Sequence, residues 1–360
     1  MFRTAFVILI AFASFSVAIT PPTQPKSGPG GQEYSHAAVT KFKHKQGATE
    51  FWLYEPDSPK PNSAPVVVFL HGWGATNPAI YGAWLDHLVK RGNIVIYPRY
   101  QESFRTPLKD LTPNAIQAIQ SAIQLLQTED GHVKPELSHF AVAGHSAGGI
   151  ISANVAALAK EKGLPQVLAL MPIEPARTWN PTPRMNIPLE DLGKISSNTL
   201  LLSIAGDKDF LAKDTDAKRI YKESVLIPSE NKDFITFISD SHGTSSLNAN
   251  HSMPTGPDKA YDNGERRNRE TSEIRNKLKA RIQTTRNENI ENFKMPSESS
   301  ELILNALDFY GTWKLFDALC DTAFYGKNRE YALGNTPQQR FMGVWSDGQA
   351  VKEMQVSDNP

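Results

Sequence analysis

The stretch that most limits what this chain can fold into is "FAVAGHSAGGI", residues 140–150. An apolar run ends abruptly in Gly144-His145-Ser146-Ala147-Gly148-Gly149. A strand that turns sharply into a helix brings backbone atoms too close for side chains on either side of the bend. Glycines at 144 and 148 remove that clash and hold Ser146 out on a tight corner, the G-x-S-x-G pattern of a nucleophile elbow. A short motif of this kind needs a sheet around it, and a base, an acid and an oxyanion hole beside it.

The sheet is legible. "PVVVFLHGWG" (65–74), "NIVIYPRY" (93–100), "HFAVAG" (139–144), "PQVLALMPIEP" (165–175), "NTLLLSIAGD" (198–207) and "KDFITFISD" (232–240) read as strands. The run at 65–74 is apolar throughout, as in a strand buried on both faces. Helical spacing at 81–92, 112–128, 147–162 and 213–224 separates them, with Thr112 as N-cap and Pro113 in the first turn of the second helix. "ATEFWLYEP" (48–56) alternates and reads as an opening antiparallel hairpin with the segment around Val39 to Phe42. Alternating strands and helices imply an α/β fold, a mostly parallel central sheet with helices on both faces. Ligand sites in such sheets lie beyond the carboxyl ends of the strands, and the polar candidates fall there.

Ser146 is the candidate nucleophile, and Ala147 opens the following helix, where free N–H groups favour negative charge. His71-Gly72-Trp73-Gly74 follows the strand "VVVFL" directly. The Trp73 and Ala147 amides are therefore the expected oxyanion hole, and His71 reads as a hydrogen-bonded structural residue. A serine hydroxyl needs a base, and the base an orienting acid. On this topology they follow in the order Ser, Asp, His. "SIAGDKDFL" offers Asp207 and Asp209, and Glu174 after "VLALMPI" is a third acid. "FISDSHG" offers His242 directly after the last strand, so His242 is the expected base, with His251 as the other candidate.

With these motifs together, the stretch from about 35 to 325 resembles the α/β-hydrolase superfamily, within it the secreted dienelactone-hydrolase, cutinase and chlorophyllase-like branch. The resemblance implies an α/β-hydrolase fold. It maps H-G-x to Trp73 as oxyanion donor, G-x-S-x-G to Ser146, the G-x-x-D turn Gly206-Asp207-Lys208-Asp209 to Asp209 as acid, and a strand-end S-H to Ser241-His242 as base. It implies carboxylic-ester hydrolysis through an acyl-enzyme, with no cofactor and no metal. A serine peptidase or acyltransferase on the same triad, or a non-catalytic binding module on a hydrolase scaffold, are the alternatives. The expected partner is a small-molecule ester. Trp73, Tyr81, Tyr100 and Trp179 are the aromatic residues expected to line its cleft.

The remaining features set domain limits. Residues 1–18 read as a signal peptide, with Arg3, an apolar stretch from Ala5 to Phe15, and small residues at Ser16-Val17-Ala18. A secreted or periplasmic location follows, with no stable membrane insertion after cleavage. Residues 19–34 read as a flexible leader, 35–326 as the hydrolase domain and 327–360 as a C-terminal hairpin extension turning at Ser346-Asp347-Gly348. The stretch at about 256–298 is dense in Arg, Lys, Glu and Asn and reads as a solvated charged insertion. Lys plus Arg (38) balance Asp plus Glu (38), so no charge excess calls for nucleic acid as a partner. The single cysteine, Cys320, excludes an intrachain disulfide and sits in an apolar run as a core residue.

Overall fold

The computed structural model describes residues 18–44, 47–178, 186–264 and 304–360. Among these residues nine strands form one sheet in the order β1-β2-β4-β3-β5-β6-β7-β8-β11. These are β1 (Ala38–His44), β2 (Phe51–Asp57), β3 (Ser63–Leu70), β4 (Ile94–Pro98), β5 (Lys134–His145), β6 (Ala169–Ile173), β7 (Leu200–Gly206), β8 (Lys232–Phe237) and β11 (Gln355–Ser357). A separate two-stranded ribbon pairs β9 (Asp240–His242) with β10 (Ser245–Leu247). The β1–β2 hairpin is antiparallel, as its alternation predicts, and β2 joins β4 antiparallel. From β4 through β8 every pairing is parallel. All strands from β3 to β7 point their carboxyl ends to one edge, where the site is built.

The longer helices are α1 (Gly82–Lys90), α2 (Leu111–Thr128), α3 (Ala147–Leu158), α4 (Thr215–Glu223) and α5 (Lys314–Tyr325), the last entered through a π-helical turn at Leu307–Trp313. Two core clusters lie on opposite faces of the sheet. Val67, Phe69, Val95 and Ile204 pack with α1 and α5 residues such as Trp84, Leu85, Phe316 and Leu319. Val66, Val68, Ile96 and Val142 pack with α2 and α3 residues such as Ile119, Ile150 and Ile151. Alternate residues of one strand thus serve different cores, and this is why β3 reads as an uninterrupted apolar run. Every residue of α3 is buried, so the helix behind Ser146 is clamped along its whole length.

Three boundaries differ from the sequence expectation. The leader is fastened rather than free where it is described. Gly30 N donates to Asp317 Oδ2 at 2.7 Å, and Thr20 N donates to Ser346 Oγ at 3.0 Å. The start of the charged insertion is docked too, since Tyr261 Oη donates to Asp86 Oδ1 at 3.0 Å and Asp258 N to Ala79 O at 2.9 Å. Most of that insertion lies outside the described residues, as does nearly all of the expected signal. The C-terminal hairpin is reduced to one bridge, Val344 with Ala350, and its last strand instead joins the main sheet against β8. Among the described residues no helix is long and apolar enough to cross a membrane.

Candidate active site

The elbow is built by steric exclusion. Ser146 has φ 56° and ψ −118° between β5 and α3, a backbone region that costs a non-glycine residue about 1–3 kcal/mol and persists only where the surroundings enforce it. They do so here. A Cβ on Gly144 would lie 2.1 Å from Gly148 O, and one on Gly148 would lie 2.1 Å from Leu70 O. Ser146 N donates to Ile173 O at 2.9 Å and Ala176 N donates to Ser146 O at 3.0 Å, tying the turn to the end of β6. The serine side chain is left at the sheet edge, 8% exposed.

His251 and Asp209 meet Ser146 in a line. Ser146 Oγ is 2.9 Å from His251 Nε2, and His251 Nδ1 is 2.8 Å from Asp209 Oδ2. Asp209 follows β7, and its other oxygen, Oδ1, accepts from the Leu211 and Ala212 amides, each at 2.9 Å. Those two bonds fix the carboxylate's rotation so that Oδ2 faces the imidazole.

His242 does not reach the serine. Beyond β8 the chain enters the β9–β10 ribbon, which carries His242 outward to pair with Asp347 Oδ2 at 2.7 Å. Only after the ribbon reverses does the chain return with His251. The expected base is therefore corrected from His242 to His251, the second candidate of the sequence. Asp207 is turned away as well, accepting from Ser239 N at 3.0 Å and Ser239 Oγ at 2.5 Å.

The loop after β3 closes the other side. A Cβ on Gly72 would lie 3.5 Å from Ser146 Cβ, so this backbone abuts the elbow. The amides flanking Trp73 are both committed inside the protein: Gly72 N donates to Tyr81 Oη at 2.9 Å and Gly74 N to Gln101 Oε1 at 2.7 Å. The Trp73 amide lies between these two anchors, and Ala147 stands at the first turn of α3, where helix amides lack an internal acceptor. His71 is fully buried, with Nδ1 2.6 Å from Gly72 O and Nε2 2.7 Å from Arg99 O. Burial pulls its pKa down to about 4, consistent with a structural rather than a basic role.

Of the aromatic residues expected in the cleft, Trp73 is half-buried and meets Phe104 edge to face at 5.1 Å. Tyr81 and Tyr100 do not line it. Both are fully buried, Tyr81 beneath Gly72 and Tyr100 stacked on His71 with its hydroxyl donating to His71 O. An aromatic after a strand can face the core as readily as a cleft, and these two brace the loop from below. Trp179 lies outside the described residues.

A third acid lies behind the line. Glu174, at the end of β6, is fully buried, 4.0 Å from His251 Nδ1 and 3.6 Å from His145 Nε2 through Oε2. Neither of its oxygens nor His145 Nε2 has a hydrogen-bond partner among the described residues. Burial first, and the Asp209 charge second, push its pKa well above the carboxylate range. Burial holds His145 well below the usual imidazole range, so both groups are neutral. One atom each from His145, Glu174 and His251 lies within 4.8 Å of the others, a spacing compatible with a metal ion. Tyr81 Oη accepts from Gly72 N at 2.9 Å and lies 2.8 Å from His145 Nδ1, which fixes the ring's position behind the elbow.

Comparison with known proteins agrees with this architecture. A family model described as Chlorophyllase matches residues 37–189, which include Trp73, Ser146 and Glu174 and stop before Asp209 and His251. Esterase LipI of Mycobacterium tuberculosis is 29% identical over 137 residues, covering 37% of this chain. The match spans 41% of that relative's own length, under half of it. The chain has the α/β-hydrolase fold and is similar in sequence to these members of the α/β-hydrolase superfamily. For an α/β-hydrolase, the sheet order, the elbow after β5 and the polar residues after β3, β6 and β7 occupy the edge where the fold keeps its chemistry.

Proposed function

We propose that the protein hydrolyses carboxylic esters through an acyl-enzyme on Ser146. The observation that carries the reading is the hydrogen-bonded line from Ser146 Oγ through His251 to Asp209, 2.9 and 2.8 Å long. The serine attacks the ester carbonyl while His251 Nε2 takes its proton. The Trp73 and Ala147 amides receive the developing oxyanion. The imidazolium formed at His251 is stabilised by Asp209 and returns the proton to the leaving alcohol. Water, activated by the same imidazole, then releases the acid and frees the serine.

The chlorophyllase family match and the relative named as an esterase support ester chemistry. The half-buried Trp73–Phe104 pair, next to the elbow in the loop after β3, favours an apolar group on one side of the ester. The test is covalent labelling by a fluorophosphonate together with turnover of p-nitrophenyl esters of increasing chain length. Ser146→Ala is expected to abolish labelling and to lower kcat about 10⁶-fold with the fold intact. An unlabelled wild-type protein overturns the reading.

A further inference from the structure

Two carboxyl groups approach the same imidazole nitrogen. Asp209 Oδ2 stands 2.8 Å from His251 Nδ1, and Glu174 Oε2 stands 4.0 Å from it. They arrive from different strands, Asp209 after β7 and Glu174 after β6. An ester hydrolase of this design needs one acid, and Glu174 is not explained by packing. It is held at φ 46°, is fully sealed from solvent, and has no hydrogen bond to either oxygen among the described residues. A buried polar group without a partner costs about 1–3 kcal/mol. Its amide donates to Ile204 O at 2.8 Å, which anchors the backbone beside β7 and fixes the direction of the side chain.

Resting on the triad reading above, we propose that Glu174 is a second acid for His251, held in reserve as a neutral carboxylic acid while Asp209 is charged. Two carboxylates this close to one site do not both ionise, because each raises the cost of the other's charge. Burial first, and the charge of Asp209 second, keep the proton on Glu174. When that charge is removed only burial still opposes ionisation, so Glu174 loses its proton at a lower pH than before, and the resulting carboxylate accepts the hydrogen bond from His251 Nδ1–H. The only net change is the release of one proton. The carboxyl and the ring must close from 4.0 Å to hydrogen-bond distance, a movement of about 1.2 Å that a side-chain adjustment can supply. Glu174 acts through His251 and is a positioning residue.

This arrangement predicts an unusual ranking of two substitutions at one position. In Asp209→Asn, the amide oxygen keeps the bonds to the Leu211 and Ala212 amides, so the NH₂ group is forced toward His251 Nδ1. That donor holds the ring in the wrong tautomer and blocks Glu174, and kcat falls about 10⁴-fold. In Asp209→Ala no donor competes, and the ring is free to turn to Glu174. Loss of the triad acid alone costs roughly 3 × 10⁴ in kcat where nothing replaces it. Asp209→Ala is expected to lose less than about 10³-fold at pH 9 and so to be more active than Asp209→Asn. Its kcat should rise with pH along a limb absent from wild type, because the carboxylate form of Glu174 is the active one and burial still raises its pKa.

The experiment measures kcat and KM from pH 5 to 10 for wild type, Asp209→Asn, Asp209→Ala and Asp209→Ala/Glu174→Gln, with thermal unfolding to verify folding. The double variant should lose a further tenfold or more in kcat and the alkaline limb, with KM little changed. Asp209→Ala/Glu174→Asp, which keeps the carboxyl but withdraws it by one methylene, should behave like the double Gln variant. Asp209→Ala as inactive as Asp209→Asn, with no alkaline limb, overturns the proposal, and that comparison requires no change at Glu174. Fluorophosphonate labelling of wild type separates the two levels. If wild type is labelled and Asp209→Ala shows no Glu174 dependence, this inference alone fails. If wild type is not labelled, the triad reading fails and takes this inference with it.

Discussion

His242 and His251 provide a sharp test of how the chain is threaded, because both follow β8 and only one faces Ser146. His251→Gln removes the group at 2.9 Å from Ser146 Oγ and keeps a side chain of similar bulk. Loss of the base in a triad costs about 2 × 10⁶ in kcat, which at 1.36 kcal/mol per decade is about 8–9 kcal/mol of transition-state stabilisation. His242→Gln should behave differently. Its partner is Asp347, and the two side chains are 22% and 40% exposed. An ion pair so open to water contributes little to stability. The expected change is therefore less than about 4 °C in Tm, with kcat within twofold of wild type. The assay is p-nitrophenyl butyrate turnover, with the rate of fluorophosphonate labelling as a check on serine activation. His251→Gln within tenfold of wild type, or a folded His242→Gln reduced a hundredfold, would refute the threading of the base described here.

Other expectations rest on separate parts of the structure. Gly148→Ala places a Cβ 2.1 Å from Leu70 O and 2.5 Å from His71 O, both backbone atoms, so it should lower the urea-unfolding free energy by more than about 3 kcal/mol. Asp308 is fully buried, and burial raises its carboxyl to about 8 against about 3.9 in an unfolded chain. The folded state then holds its proton more tightly, so stability should decline as pH rises from about 4 to about 8, and Asp308→Asn should flatten urea midpoints over that window. The residues flanking the charged insertion lie near each other, since a Cβ on Gly256 would be 2.9 Å from Leu304 Cδ2. Loop closure costs only the logarithm of length, so replacing residues 266–300 with a short Gly/Ser linker should leave Tm and small-ester turnover nearly unchanged. A linker variant that folds but is inactive would instead assign the insertion a part in the site.

Most of the sheet was readable because its signal is repeated. Each of β3 to β8 is an apolar run, and helical spacing lies between all successive pairs but β6 and β7, an alternation that implies a mostly parallel sheet before any coordinate is known. Termini and insertions are less legible, because composition reports whether a segment can fold alone and not whether it has somewhere to dock. The leader is rich in Pro and Gly, yet Asp317 accepts its Gly30 amide from the far end of the chain. The segment 258–261 contains Asp and Lys, yet Tyr261 is anchored on Asp86 of α1. The C-terminal turn was visible in Ser346-Asp347-Gly348. The destination of its second arm, an edge of the main sheet beside β8, depends on which edge the other strands leave open.

The site divides along the same line. Ser146 was legible because its constraint is local: glycines at fixed offsets admit one backbone path, and the contacts at Gly144 and Gly148 are the physical content of the motif. Asp209 was nearly as local, since it follows β7 by three residues and its own backbone turn supplies the amides that aim it. The histidine has no such local constraint. It must be delivered by whatever loop follows β8, and loop length is free so long as the chain returns. Here the β9–β10 ribbon inserts a detour that shifts the delivered residue by nine positions, from His242 to His251. A strand-end histidine is thus a weak indicator of a base unless the segment behind it runs straight. Glu174 shows the opposite case. Its position at a strand end was visible, but its weight in the site depends on how near β6 and β7 bring two acids to one ring, a distance set by strand pairing rather than by sequence spacing.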